Sequence, residues 1–428
     1  MTQRTLPPAI WSTEQDWLHR RLHAYLSKNE EVSYTGISLA VLGEKGVGKT
    51  ILVRAVLDKL RQSPPRETLF LLADCRRLRT RRDVLTEIAQ QAVERLELRR
   101  RVDPKSKNDQ ALFETARALR TLCNFDADAE LKVVEEHMTV FKAAAGLNGE
   151  KLFLSALGVN FNVSVERKRG QELVGKVRFD EQRLLSLFLA FFRDVRSQGL
   201  HVVLHLDNID ELRHQHYQQE NVRQEVRRDV DSILSLRDAP IGLVLGLRTY
   251  YAGSLPREVT QRLPVKKLGP EDLLAALRQR ALGDGPAQLQ QAFEAPPYSA
   301  PLRQLALMSR TPLAFLQWAQ TLFDTVPFAP ETSLDHVIDT FLQSHCSNLP
   351  LPTIRRVCQA FLSPEQPIPK TQLLGCCDQN PSLYNQLLDC QVVLPMDFFH
   401  PEDFTLDPEL DAKFRLLKAS SVAQPTSL

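Results

Sequence analysis

Six residues without a charge, Ile37-Ser38-Leu39-Ala40-Val41-Leu42, run directly into Gly43-Glu44-Lys45-Gly46-Val47-Gly48-Lys49-Thr50, and Ile51 to Leu60 continue with helical character. The eight-residue stretch satisfies G-x-x-x-x-G-K-[ST] between a strand and a helix, the context that gives this pattern its meaning. Glycine permits the tight backbone in which successive N–H groups converge on phosphate oxygens. The helix that follows adds the positive end of its dipole. On this reading Gly43, Gly46, Val47, Gly48, Lys49 and Thr50 hold the phosphates of ATP. Lys49 reaches the β and γ groups, and Thr50 ligates Mg2+.

The rest of the chain is read around that loop. A helix is expected over about 13–28 with Ser12 as its cap, since Leu18, Leu22 and Leu26 recur at helical spacing. Thr68–Leu72, Val202–Leu206 and Ile241–Leu247 read as further strands, and Asp83–Leu96 and Leu184–Val195 as helices. Strands alternating with helices predict a parallel sheet covered on both faces, an α/β P-loop NTPase fold. Residues 99–180 break the alternation and read as an insertion. Within it Val159, Phe161, Val163 and Val165 alternate with polar residues, as in a half-exposed strand. From about 270 to 345 the pattern is helical only, a lid domain. From 346 on, short helices precede VVLPMDFFHPEDFTLDPEL, two short strands around a turn, which predicts a C-terminal winged-helix-like domain. The expected domains are therefore 1–269, 270–345 and 346–428.

A phosphate loop needs an acid at the end of a neighbouring strand. His201-Val202-Val203-Leu204-His205-Leu206-Asp207 supplies it, with Asp207 at the carboxyl end where ligands bind in open α/β sheets. Asp207 and Thr50 are thus the expected metal residues. Composition adds limits. The longest uncharged apolar run, Leu184 to Phe192, is about half a membrane span, so no membrane partner is expected. The seven cysteines are sparse and odd in number, which argues against a disulfide scaffold and for a cytoplasmic protein. A net charge of +2 leaves nucleic-acid binding to local patches.

With the loop and the acidic strand end in hand, the chain resembles the AAA+ and STAND superfamily of P-loop ATPases, most closely its origin-recognition-like branch. LHLDNIDEL is similar to that branch's acidic strand end, and IGLVLGLRT to its sensor strand. In SLPREVTQRLPVKKLGPEDLLAALRQRA, Arg262 stands where such proteins carry an arginine finger. Two departures follow from the resemblance. Asn208 occupies the usual place of the glutamate that polarises the attacking water, and an amide cannot serve as a base at neutral pH. Leu313 falls where the lid arginine belongs, with Arg310 one turn earlier. The resemblance implies catalytic roles for Asp207, Asn208 and Arg262, slow ATP hydrolysis, and a homo-oligomeric switch that regulates a partner protein or effector.

Charge distribution leaves a rival open. Between Arg76 and Lys107 there are eleven basic and five acidic residues, a possible contact for a phosphate backbone, as in a DNA-associated replication or transposition regulator. From Ser333 onward there are six basic and eleven acidic residues, and the expected recognition helix, Pro381–Gln391, has no lysine or arginine. A winged helix of this charge reads as a protein-contacting module rather than a duplex reader.

Overall fold

The computed structural model describes residues 10–28, 36–102, 106–124, 129–130, 176–177, 181–209, 220–255, 259, 261–284, 295–325, 333–396 and 402–422. The N-terminal portion runs α1 (Ser12–Leu26), β1 (Ile37–Leu42), α2 (Lys49–Gln62), β2 (Thr68–Asp74), α3 (Arg81–Val102) and α4 (Lys107–Asn124). A two-residue antiparallel pair follows, β3 (Ala129–Glu130) with β4 (Lys176–Val177). Then come α5 (Glu181–Ser197), β5 (His201–Asp207), α6 (Glu220–Leu234), β6 (Gly242–Leu247) and β7 (Gln261–Pro264).

Five of these strands form one parallel sheet in the order β2-β5-β6-β1-β7. Side chains alternate across its two faces, as strand geometry requires. Leu39, Val41, Phe70, Val203 and Val244 pack with α1 and α2 on one face. Ala40, Leu71, Leu204, Leu206, Leu243 and Leu245 face α3, α4 and α5 on the other. Both faces are buried, which is why the central strands read as continuous apolar runs. The fold is an α/β P-loop NTPase with a parallel sheet.

A helical lid follows, α7 (Pro270–Asp284), α8 (Pro296–Met308) and α9 (Pro312–Thr325), and then α10 (Leu334–His345). The C-terminal portion runs α11 (Leu351–Ala360), β8 (Ile368–Pro369), α12 (Lys370–Cys376), α13 (Pro381–Asp389), β9 (Val393–Pro395), β10 (Asp403–Leu406) and α14 (Asp411–Val422). Its three strands pair antiparallel in the order β8-β10-β9. Three helices with a small antiparallel sheet in this order make the winged-helix-like unit that the sequence predicts.

Several expectations change in detail. The first part of the stretch 99–180, expected as an insertion, is helix packed on the core. α3 continues to Val102, and α4 buries Leu112, Ala116, Leu119 and Leu122 against the core, so these helices belong to the sheet's cover. The strand expected at Val159–Val165 lies outside the described residues. β7 is absent from the sequence reading because only Leu263 of its four residues is buried. α1 begins at Ser12 itself, and its cap position is taken by Trp11 at φ 54°. The strained backbone there accompanies burial of the Trp11 ring on the phosphate loop.

α10 is bound to α14 through a buried lysine. Lys413 is fully buried, and its Nζ lies 2.6 Å from Asp339 Oδ1 and 2.7 Å from Asp335 Oδ1. Removing one member of a buried pair leaves an uncompensated charge. Lys413→Ala is expected to lower stability by about 3 kcal/mol in denaturant unfolding, at the low end of such losses because Arg355 still pairs Asp339.

Candidate nucleotide-binding site

The loop 43–50 leaves the carboxyl end of β1, next to the centre of the sheet, and enters α2. Gly46 and Gly48 sit at φ 76° and 107°, conformations open to glycine and rarely to other residues. A Cβ at Gly48 would lie 2.1 Å from the Trp11 ring, whose Nε1 donates to the Lys266 carbonyl at 2.9 Å. Val47 is buried, and its Cγ1 lies 2.6 Å from where a Cβ at Gly43 would stand. Gly43 N donates to the Leu247 carbonyl at 3.2 Å, tying the loop to β6.

Inside this cradle Lys49 is buried, and its Nζ donates to the carbonyls of Gly43 and Glu44, each at 3.0 Å. Thr50 Oγ1 donates to Asp207 Oδ2 at 2.5 Å. Thus two residues 157 positions apart meet at the head of α2. Asp207 Oδ1 is buried without a hydrogen-bond partner and lies 2.5 Å from where a Cβ at Gly246 would stand. Any side chain at position 246 would displace the carboxylate. The His205 imidazole lies 3.9 Å from Asp207, and burial lowers its pKa, keeping it neutral. A hydroxyl, a carboxylate with an orphaned oxygen and an adjacent buried ammonium are the donor chemistry that magnesium and phosphate take.

Asn208 adopts φ 54°, which asparagine tolerates. Its Nδ2 donates to Asp74 Oδ1 at 3.2 Å. Asp74 ends β2 in register with Asp207 on β5. Burial works to raise the Asp74 pKa, but hydrogen bonds and charge from Arg76, with Asn208, hold it below its ordinary value. The sequence reading missed Asp74; the signal was its strand end, LFLLAD, matching LHLD. It also missed Arg248, a buried arginine just past β6 whose charge acts on Lys45 and Asp407.

The remaining expected residues stand apart from this cluster. Arg262 is exposed on the edge strand β7, in register with Ala40, and its Nε donates to the Val259 carbonyl at 3.3 Å. Arg310 is held away in ion pairs with Glu44 at 3.3 Å and Asp411 at 3.1 Å. Leu313 meets the loop instead, its N–H donating to the Gly46 carbonyl at 3.2 Å. In the basic stretch, Arg76, Arg81, Arg82, Arg99, Arg100 and Arg101 have intramolecular partners, among them Asp74, Ser232, the Cys123 carbonyl, Glu67, the Phe113 ring and Glu97.

Residues 15–220 match the family model of the AAA ATPase domain, and both the loop and Asp207 lie inside that match. No curated protein matches the chain. Among solved structures, the chain is similar to the ORC2 protein of Aeropyrum pernix in its ADP form, at 11% identity over 99% of this chain and 97% of that one, with a TM-score of 0.43. It is similar to Cdc6p from Pyrobaculum aerophilum at 12% identity over 98% and 97%, TM-score 0.39. A STAND protein with a tetratricopeptide repeat sensor from Pyrococcus horikoshii matches at 12% identity over 91% and 43%, TM-score 0.24. Among the described residues, no helix is long and apolar enough to cross a membrane.

Beside the loop, burial pushes the Asp411 carboxyl up to about 7, against Arg310 and Arg415 and with Glu44 and Asp407 adding to the rise. The folded value exceeds the unfolded one near 3.8. The folded state therefore holds a proton that the unfolded chain releases, and this contribution to stability fades as pH rises from about 4 to 7, by at most about 1.4 kcal/mol per pH unit. Asp411→Asn is expected to flatten that part of the stability curve, measured by urea unfolding across the same range.

Proposed function

We propose that the chain binds ATP and Mg2+ and hydrolyses ATP slowly, as a nucleotide-controlled oligomeric switch that regulates a partner protein or effector. The observation that supports this most directly is the 2.5 Å bond from Thr50 to Asp207 beside the buried Lys49. Thr50 and Asp207 would hold the metal, directly and through water, and the bound metal would supply charge neutralisation at the phosphates. Gly43, Gly46, Val47, Gly48 and Lys49 would bind the phosphates through backbone N–H groups and the ammonium. The division into 1–269, 270–345 and 346–428 belongs to the same reading: site, lid and output.

Asn208 would orient water without taking its proton. Asn208 itself contacts a carboxylate, that of Asp74. We assign Asp74 the part of the acid that β5 lacks, with its hydrogen bonds from Arg76 limiting its basicity and hence the rate. Arg262, exposed on the sheet edge, is accessible to a neighbouring subunit, where a trans arginine contributes factors on the order of 10³ or more to phosphoryl transfer. The acidic C-terminal unit and the internal pairing of the basic stretch favour a protein output. The DNA-associated reading rests on the remaining cations of 76–107 and requires salt-dependent binding to random duplex.

Lys49→Ala is expected to weaken ATP binding at least about tenfold by calorimetry; unchanged affinity overturns the ATP reading. Asp74→Asn is expected to bind ATP as the parent does while losing most turnover, and Asn208→Glu to gain turnover. Specific ATPase activity should rise with protein concentration, and Arg262→Ala should lose that rise while retaining ATP binding.

A further inference from the structure

Three consecutive residues of the phosphate loop are gripped from outside it. Lys45 Nζ lies 2.9 Å from Glu409 Oε1 and 3.5 Å from Asp407 Oδ2. Glu44 pairs with Arg310 of the lid and with Lys267, each at 3.3 Å. Gly46 accepts the Leu313 N–H, and a Cβ on it would lie 2.4 Å from Leu313 Cβ. The acidic side of this contact is the turn Leu406-Asp407-Pro408-Glu409-Leu410-Asp411, which joins β10 to α14. Its three carboxylates are at most 4% exposed.

The turn is built to hold them there. Asp407 Oδ1 accepts from Glu409 N at 2.9 Å. Trp318 Nε1 of α9 donates to the Glu409 carbonyl at 3.2 Å, and Arg310 donates to the Leu406 carbonyl at 2.7 Å. His345 Nε2 lies 2.8 Å from the second oxygen of Glu409. Buried carboxylates persist when cations pair them. Here one of those cations, Lys45, belongs to the phosphate loop, at a position that the G-x-x-x-x-G-K-[ST] pattern leaves free.

A nucleoside polyphosphate on this loop brings several negative charges close to Asp407 and Glu409, in a poorly hydrated setting where like charges repel strongly. Lys45 cannot neutralise both sets. We propose that the 407–411 turn is a latch whose seating on Lys45 opposes nucleoside triphosphate more than diphosphate, and that triphosphate binding unseats it. The proposal rests on the ATP-binding reading above. Coupling of this kind is reciprocal: whatever affinity the latch withholds, the triphosphate returns as release of the C-terminal unit.

The test uses the full-length protein, a non-hydrolysable ATP analogue with Mg2+, and ADP. The isosteric pair Asp407→Asn with Glu409→Gln removes the repelling charge. It is expected to bind the analogue about fivefold or more tightly than the parent, with a smaller gain for ADP. Hydrogen exchange read over 403–411 should accelerate in the parent on adding the analogue, less with ADP, and should already be fast in the variant without nucleotide. If that variant fails to fold, Lys45→Gln opens the contact from the other side and is read by exchange over 403–411 alone. Parent protein that binds nucleotide, with an analogue-to-ADP preference and 403–411 exchange that neither nucleotide nor variants alter, overturns the latch and leaves the ATP reading standing. A parent that binds neither nucleotide overturns both.

Discussion

The backbone of one eight-residue loop sets the terms for the rest of this molecule. For its N–H groups to face inward, Gly46 and Gly48 must hold left-handed conformations that most side chains do not adopt. Lys49 ties the loop to its own carbonyls of Gly43 and Glu44, and packing from elsewhere completes its support. Trp11 covers Gly48, Val47 packs against Gly43, and Leu313 closes on Gly46. These contacts come from the loop itself and from two segments far from it in sequence, around Trp11 and Leu313.

Charge burial around the loop divides into two layers. The inner layer is Lys49, bonded to the loop carbonyls, and Thr50, bonded to Asp207, whose second oxygen is buried without a hydrogen-bond partner. An outer layer links Glu44 and Lys45 to Arg310, Asp407, Glu409 and Asp411. Burial raises the pKa of Asp407 and Asp411. For Glu409 it acts in the same direction but is outweighed by His345 and Lys45, which bring its carboxyl down to about 2. A charge change in the inner layer is thus felt within a short, poorly screened distance by the outer one.

The strand ends of β2 and β5 bring two carboxylates side by side. Parallel register sets Asp74 beside Asp207, and the turn after β5 swings the Asn208 amide onto Asp74. Read in the sequence alone, Asn208 is a missing acid; in the sheet, it is an amide hydrogen-bonded to one.

The sequence by itself determined the elements whose signal is local. The loop is legible because glycine, lysine and threonine at fixed spacing carry backbone geometry, and β1, β5 and β6 are legible because strands buried on both faces must be continuously apolar. Asp207 followed from its place at the end of such a strand. Elements with a weak local signal were not legible: β7 has one buried residue in four, and α4 looked like part of an insertion until its leucines met α3 and α5. Tertiary structure alone decided the partners of the charged groups. Arg310 could be placed one turn from the expected lid arginine, yet its ion pairs come from Glu44 and Asp411, more than 260 and 100 residues away. The pairing of Lys45 with Glu409 has no sequence signal either, because a surface charge and a buried charge are written with the same residues, and only packing determines which of them loses its water.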